Sequence, residues 1–140
     1  MSKQKIYNIV LFSIVGFICL GYILGFIKYK TNNEPLNIWG IKPMLILSGS
    51  MEPTIDLNSI VITIKTKDIK KGDIILFRTK SDDYVVHRYY DDNPDGSIVT
   101  KGDSNRIIDY EPVEHNDVFG KVIMRMNLLA PYISYIRKVL

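Results

Sequence analysis

The sequence predicts a mainly β domain behind one N-terminal transmembrane helix. Two observations indicate this fold class. Residues 6–27 form a run of 22 without a charged side chain, and a helix rising about 1.5 Å per residue would span the roughly 30 Å hydrocarbon core of a bilayer over that length. From residue 43 to residue 126, short apolar and β-branched runs alternate with turn residues, without an amphipathic helix pattern. We expect this part to form a small barrel or folded sheet.

The chain divides into three predicted parts: an anchor over residues 1–30, a β-rich domain over residues 31–127, and an apolar tail over residues 128–140. The linker after the anchor is polar and turn-like. The tail is too short to span a bilayer unaided, so we expect it to lie at the membrane interface or to dock on the domain.

The anchor could instead be a cleaved export signal. Such a signal has an apolar region of about 7–15 residues that ends in a small-residue cleavage site. Here the apolar run is longer, and the residues that end it, Phe26-Ile27-Lys28-Tyr29-Lys30, offer no such site. We therefore expect a retained transmembrane helix. Its orientation does not follow from charge, because lysines flank both of its ends.

Six runs rich in apolar and β-branched residues predict strands. Turn residues separate several of them, for example Lys70-Lys71-Gly72-Asp73 and Asn93-Pro94-Asp95-Gly96. The predicted strands are Met44–Leu47, Ser59–Ile64, Ile74–Phe77, Tyr84–Tyr90, Ser97–Thr100 and Val118–Met126.

Composition argues against two functional classes. The net charge is +3, and the basic residues are dispersed without interleaved aromatic residues, which gives no support for nucleic-acid binding. The single cysteine, Cys19, lies in the apolar segment, so an intrachain disulfide and a Cys/His metal site are both excluded. We expect neither a cofactor nor a metal.

A candidate nucleophile lies in the stretch from Leu45 to Thr54, where a short strand runs into a turn. Ser48 and Ser50 flank Gly49 there, and Pro53 restricts the backbone that follows. A serine at a strand-to-turn corner is a plausible nucleophile. The alternative interpretation is an ordinary polar turn, since serine, glycine and proline are common turn residues.

His87 is the candidate base, and Asp103 or Asp109 could orient it. Strand alternation places His87 on one face with Val85 and Tyr89, whereas the second histidine, His115, falls in a polar loop. The alternatives are a structural histidine and aspartates that satisfy local turns. The order Ser, His, Asp is compatible with a catalytic triad, because triads recur by geometry and not by chain order.

Four motifs in order resemble the boxes of type I signal peptidases. The resemblance covers roughly residues 5–126 and includes the N-terminal anchor. Histidine stands where the bacterial type has a lysine base, so the chain is similar to the endoplasmic-reticulum or archaeal type, which also occurs in some Gram-positive bacteria. The motifs are Ser48-Gly49-Ser50-Met51-Glu52-Pro53-Thr54, Gly72-Asp73-Ile74-Ile75-Leu76-Phe77, Val86-His87-Arg88 and Thr100-Lys101-Gly102-Asp103.

The resemblance implies a role for each candidate. Ser50 would be the nucleophile and His87 the general base. Asp109 would be the third triad member, and Asp103 a supporting residue or the alternative third member. The Ser48 hydroxyl would form the oxyanion hole with the Ser50 N–H. The family usually has asparagine after Gly-Asp, and Ser104 departs from that pattern.

The resemblance also implies a function: a membrane-bound serine endopeptidase that removes signal peptides from exported preproteins after small residues at −3 and −1. Its expected partners are signal peptides, membrane lipid and the export machinery. The catalytic domain would lie on the outer face of the cell membrane. Two alternatives are a non-enzymatic membrane-anchored β module and a self-cleaving repressor-type protease of the same fold, which would need a lysine base and a DNA-binding N-terminus.

Overall fold

The computed structural model of the protein describes residues 3–32, 36–127 and 135–136. The chain forms two compact units, Met1–Gly40 and Ile41–Leu140, and each is described by itself. The interfacial or docked tail expected over residues 128–140 lies outside the described residues, apart from the helical residues 135 and 136.

The first unit contains one long helix, α1 (Lys3–Asn32). Its segment Lys3–Gly21 is long and apolar enough to cross a membrane. Large apolar side chains such as Ile6, Phe12 and Leu24 are exposed along it. A helix that is apolar on all sides is stable when it is surrounded by an apolar medium, as the predicted membrane anchor would be.

The second unit is a six-stranded antiparallel sheet with the strand order β1-β2-β6-β3-β4-β5. A short 3-10 turn (His115–Asp117) precedes the last strand. The predicted mainly β fold class is therefore confirmed. The strands are β1 (Ile41–Leu45), β2 (Ile60–Ile64), β3 (Ile74–Arg78), β4 (Tyr84–Asp92), β5 (Ile98–Lys101) and β6 (Val118–Met126).

Strand β1 begins three residues earlier than the sequence predicts, at Ile41 instead of Met44. The predicted strand starts directly after Pro43. In the structure β1 lies at the edge of the sheet, and Pro43 is paired with Ile62. An edge strand tolerates proline when the missing N–H would have pointed away from the sheet.

Two apolar clusters pack on opposite sides of strand β3. Because side chains alternate along a strand, Leu76 enters the first cluster while Ile75 and Phe77 enter the second. Strand β3 is therefore buried on both faces and ties the two clusters together. The first cluster contains Ile46, Met51, Ile55, Val61, Leu76 and Val86, and the second contains Ile75, Phe77, Tyr89, Ile98 and Val113.

Candidate active site

The turn that carries Ser50 is anchored in the first apolar cluster. Met51 directly follows Ser50, Ile55 lies four residues further on, and the two are only 1% and 0% exposed. Burial of side chains of this size is worth about 1.5–3 kcal/mol each. The backbone N–H of Ile55 donates to the Met51 carbonyl at 2.9 Å, which closes the turn. Ser50 is thereby held half-buried at the rim of the sheet.

Ser50, His87 and Asp109 form one chain of hydrogen bonds. The Ser50 Oγ lies 3.0 Å from the His87 Nε2, and the His87 Nδ1 lies 2.6 Å from the Asp109 Oδ2. An ionised carboxylate can only accept, so the contact with Asp109 assigns the ring hydrogen to Nδ1. The bare Nε2 is then free to accept a proton from Ser50. The arrangement can therefore activate a serine hydroxyl.

Sheet pairing and one loop closure bring these residues together. His87 lies in β4 opposite Ile75 of β3, and the Phe77 ring meets the imidazole edge-on at a centroid distance of 6.4 Å. Asp109 returns to the sheet through its backbone N–H, which donates to the Thr100 carbonyl at 2.8 Å. The His87 and Asp109 side chains are only 11% and 22% exposed, so their hydrogen bond is largely shielded from water.

Thr100 is a site residue that sequence reasoning misses. Its side chain is fully buried at the end of β5, and its Oγ1 donates to the Asp109 Oδ2 at 2.6 Å. A threonine in a β-branched run looks like an ordinary strand former. Its position directly before Lys101-Gly102-Asp103 is the signal that could have identified it.

Ser48 lies on the nucleophile side of the site. Its exposed hydroxyl is 3.1 Å from the Ser50 Oγ. Either oxygen can be the donor, so the Ser48 hydroxyl can turn its hydrogen toward an oxygen that develops charge beside Ser50. The oxyanion role expected for Ser48 stays a prediction.

Asp103 contacts Arg88, and not the histidine. The Arg88 Nε donates to Asp103 Oδ1 at 2.8 Å, and the Arg88 Nη2 donates to Oδ2 at 2.6 Å. This bidentate bond, followed by a hydrogen bond from Thr54, lowers the pKa of Asp103 below its ordinary value, although partial burial opposes the shift. The same pair raises the pKa of Arg88. Of the two candidate aspartates, Asp109 is therefore the one that the structure brings to His87.

The turn after β5 packs on the backbone of the nucleophile turn. The Ser104 N–H donates to the Ser50 carbonyl at 2.9 Å, and the Ser104 Oγ donates to the Gly49 carbonyl at 2.8 Å. Gly102 is buried so close that a Cβ on it would lie 2.7 Å from the Ser50 carbonyl oxygen. Ser104, at the position where the resemblance predicts asparagine, thus binds the two main-chain carbonyls on either side of Ser50.

A groove of about 360 Å³ opens beside Ser50 and His87. One wall comes from β1 and the residues after it, and the other comes from β4. Most of the lining is apolar, so the groove suits an apolar segment. The lining residues are Met44, Leu45, Ile46, Leu47, Ser48, Ser50, Met51, Tyr84, Val85, Val86 and His87. The second histidine, His115, is exposed in the 3-10 turn, as the sequence predicts.

Comparisons with known proteins show which family this chain resembles. Residues 36–99, which include Ser50 and His87 but neither aspartate, match the family described as "Signal peptidase, peptidase S26". Signal peptidase I W of Bacillus subtilis (strain 168) is 29% identical over 121 residues, which cover 82% of this chain. The signal peptidase complex catalytic subunit SEC11C of Homo sapiens is 28% identical over an alignment of 151 positions, which covers 97% of this chain.

The chain spans 64% of the length of the Bacillus relative and 73% of the length of the human one. Both names belong to signal peptidases, and the family match includes the two motifs that carry Ser50 and His87. The chain is therefore similar to the signal peptidases of the family peptidase S26.

Proposed function

We propose that the protein is a membrane-bound serine endopeptidase that removes signal peptides from exported preproteins after small residues at −3 and −1. The observation that carries the proposal is the hydrogen-bond chain from Ser50 through His87 to Asp109, with distances of 3.0 Å and 2.6 Å. The names of the relatives supply the substrate class.

In the proposed reaction His87 accepts the Ser50 proton at Nε2 while the Ser50 Oγ attacks the carbonyl carbon of the scissile bond. Asp109 stabilises the imidazolium that forms. The imidazolium then gives its proton to the leaving amine, and the new N-terminus departs. A water molecule, deprotonated by the same histidine, attacks the acyl-enzyme and restores Ser50.

The developing oxyanion needs fixed donors, and we assign this role to the Ser48 hydroxyl and the Ser50 N–H. The 3.1 Å contact between the two hydroxyls supports the assignment of Ser48. Removal of one such donor typically costs about 2.7–4 kcal/mol of transition-state stabilisation. Asp103, held by Arg88, supports the fold of the site and does not act on the histidine.

The groove beside Ser50 is the proposed binding site for the residues before the cleavage point. Strand β1 forms one edge of the sheet, and an extended peptide can add to such an edge through main-chain hydrogen bonds. The apolar lining that Ile46, Met51 and Val86 provide suits small apolar side chains such as alanine.

We further propose that residues 1–30 anchor the catalytic domain of residues 31–127 to the cell membrane, with the domain on the outer face. The apolar segment within α1 supports the anchor, whose surface would contact membrane lipid. The relative named as a catalytic subunit of a signal peptidase complex supports association with further components of the export machinery.

The test is cleavage of an exported precursor with alanine at −3 and −1 by the full-length protein in membranes. Ser50→Ala should abolish cleavage, because the variant lacks the oxygen that attacks the scissile carbonyl. Ser81→Ala, which changes an exposed serine in the turn between β3 and β4, is the matched control and should cleave at the wild-type rate. Cleavage by Ser50→Ala at that rate would favour a non-enzymatic β module instead.

A further inference from the structure

We infer that Thr100 is a positioning residue for this reaction, because its hydroxyl holds the carboxylate of Asp109 in the orientation that fixes His87. The inference rests on the proposed function, which supplies the reaction. The contact between Thr100 and Asp109 is part of the site geometry. The Thr100 Oγ1 and the His87 Nδ1 both approach the Asp109 Oδ2 at 2.6 Å.

The position of Asp109 in the chain explains why it needs a second restraint. Asp109 lies within the loop that follows β5, and the apolar side chains just before it, Ile107 and Ile108, are 78% and 47% exposed. Exposed loops move more than the strands that they connect. The strand residue Thr100 accepts from the Asp109 N–H at 2.8 Å and donates to the Asp109 side chain. One buried residue therefore fixes both the main chain and the carboxylate.

The orientation of the carboxylate decides which ring nitrogen of His87 carries the hydrogen. Asp109 keeps the hydrogen on Nδ1 only while Oδ2 faces that nitrogen. If the carboxylate turns away, the hydrogen can move to Nε2, which then donates to Ser50 and cannot accept its proton. Small displacements of a catalytic group can cost about 100-fold in rate. Loss of the Thr100 hydroxyl should therefore lower the rate, because His87 is then less well oriented toward Ser50.

The first arm of the test compares Thr100→Val, which has the same shape without the hydroxyl, with Thr100→Ser, which keeps the hydroxyl. Thr100→Val should lower kcat by about 10- to 100-fold with little change in KM, since Thr100 is buried behind Asp109 and does not line the groove. Thr100→Ser should stay within about 3-fold of the wild type, because it retains the donor.

Thr63→Val is the matched control. It removes another buried hydroxyl, which donates to the Lys42 carbonyl at 2.9 Å far along the sheet in β2. Thr63→Val should lower the melting temperature but should not show the loss of kcat that is expected for Thr100→Val. An equal loss of kcat in Thr63→Val and Thr100→Val would overturn the inference, because both would then act through stability.

The second arm needs no cleavage. Nitrogen-15 NMR of the imidazoles reports the tautomer, and the chain has only two histidines, so the exposed His115 is an internal reference. In wild type the hydrogen of His87 should reside on Nδ1, and in Thr100→Val a measurable fraction should move to Nε2. An unchanged tautomer in Thr100→Val would overturn the inference. A wild type that cleaves no precursor would instead overturn the proposed function.

Discussion

His87 and Arg88, neighbours along strand β4, each engage a different aspartate. His87 contacts Asp109 at 2.6 Å, while Arg88 forms the bidentate ion pair with Asp103. Because successive side chains of a strand point to opposite faces, the two contacts lie on opposite sides of β4. The two candidate aspartates therefore have different surroundings, and their variants should behave differently.

Asp109→Ala should lower kcat much more than Asp103→Ala does. By analogy with other triads, we expect a loss of roughly 10⁴-fold for Asp109→Ala, because His87 loses its orienting carboxylate. Asp103→Ala leaves the Arg88 guanidinium without its bidentate partner, so it should mainly lower the melting temperature. Cleavage kinetics below the melting temperature of every variant measure the difference. Equal losses of kcat in both variants would show that Asp103 also acts on the histidine.

Acidification should destabilise the protein partly through Asp103. Its pKa in the folded protein is lowered, chiefly by the hydrogen bonds from Arg88. The resulting stabilisation is fully present above the pKa of aspartate in the unfolded chain, about 3.9, and it is lost as the pH falls through the lower folded value. Urea unfolding of the protein in micelles should therefore show a decline in stability below about pH 4.

Asp103→Asn is the matching variant for this experiment. It should be less stable than wild type at neutral pH, and the difference between the two proteins should shrink as the pH falls below about 4. A difference that stays constant down to acid pH would mean that the charge of Asp103 contributes nothing to stability.

Ser104→Ala should lower kcat by about 3- to 10-fold while KM and stability change little. The variant loses the hydrogen bond to the Gly49 carbonyl, and keeps the backbone bond to the Ser50 carbonyl. The peptide that carries the proposed oxyanion donor then becomes less restrained. Ser104→Thr keeps the hydroxyl and should recover most of the rate. Failure of this rescue would count against the role of the hydroxyl.

Gly102→Ala should be more damaging than Ser104→Ala. Its Cβ would lie 2.7 Å from the Ser50 carbonyl oxygen and 2.8 Å from the Asn105 Nδ2. The amide of Asn105 can move, whereas the Ser50 backbone can give way only if the nucleophile turn shifts. We expect a loss of kcat of about 100-fold or more. Gly16→Ala is the control, because a Cβ on Gly16 would meet no atom within 4 Å. This variant should cleave at the wild-type rate.

His87→Lys should not restore a serine–lysine pair. The lysine ammonium would lie beside the Asp109 carboxylate, which favours its charged form, and a charged amine cannot accept the Ser50 proton. The lysine side chain is also longer than the imidazole that now lies between the Ser50 Oγ and the Asp109 carboxylate. Precursor cleavage by His87→Lys should therefore stay near the level of His87→Ala, and efficient processing by the lysine variant would contradict this explanation.

Much of the fold and part of the site could be predicted from the sequence. Strand β6 has the predicted bounds, and alternation in β4 separates His87 from Arg88, because these features depend on local patterns. The resemblance favours Asp109 over Asp103, but the residue pattern alone could not decide between them, since the choice depends on how the loop after β5 folds back to Thr100. Thr100 and Ser104 were missed for the same reason: their partners are distant in the chain.

The pairing register of strand β4 decides which of its side chains points into the active site. If β4 slipped by one residue against β3, every side chain would exchange faces. Arg88 would then take the place of the imidazole beside Ser50, and His87 would take the place of Val86 on the opposite face. Deletion of a single residue from the turn between β3 and β4 could thus leave a folded sheet whose base faces the wrong side. The length of that turn is therefore as much a part of the active site as the residues that carry the protons.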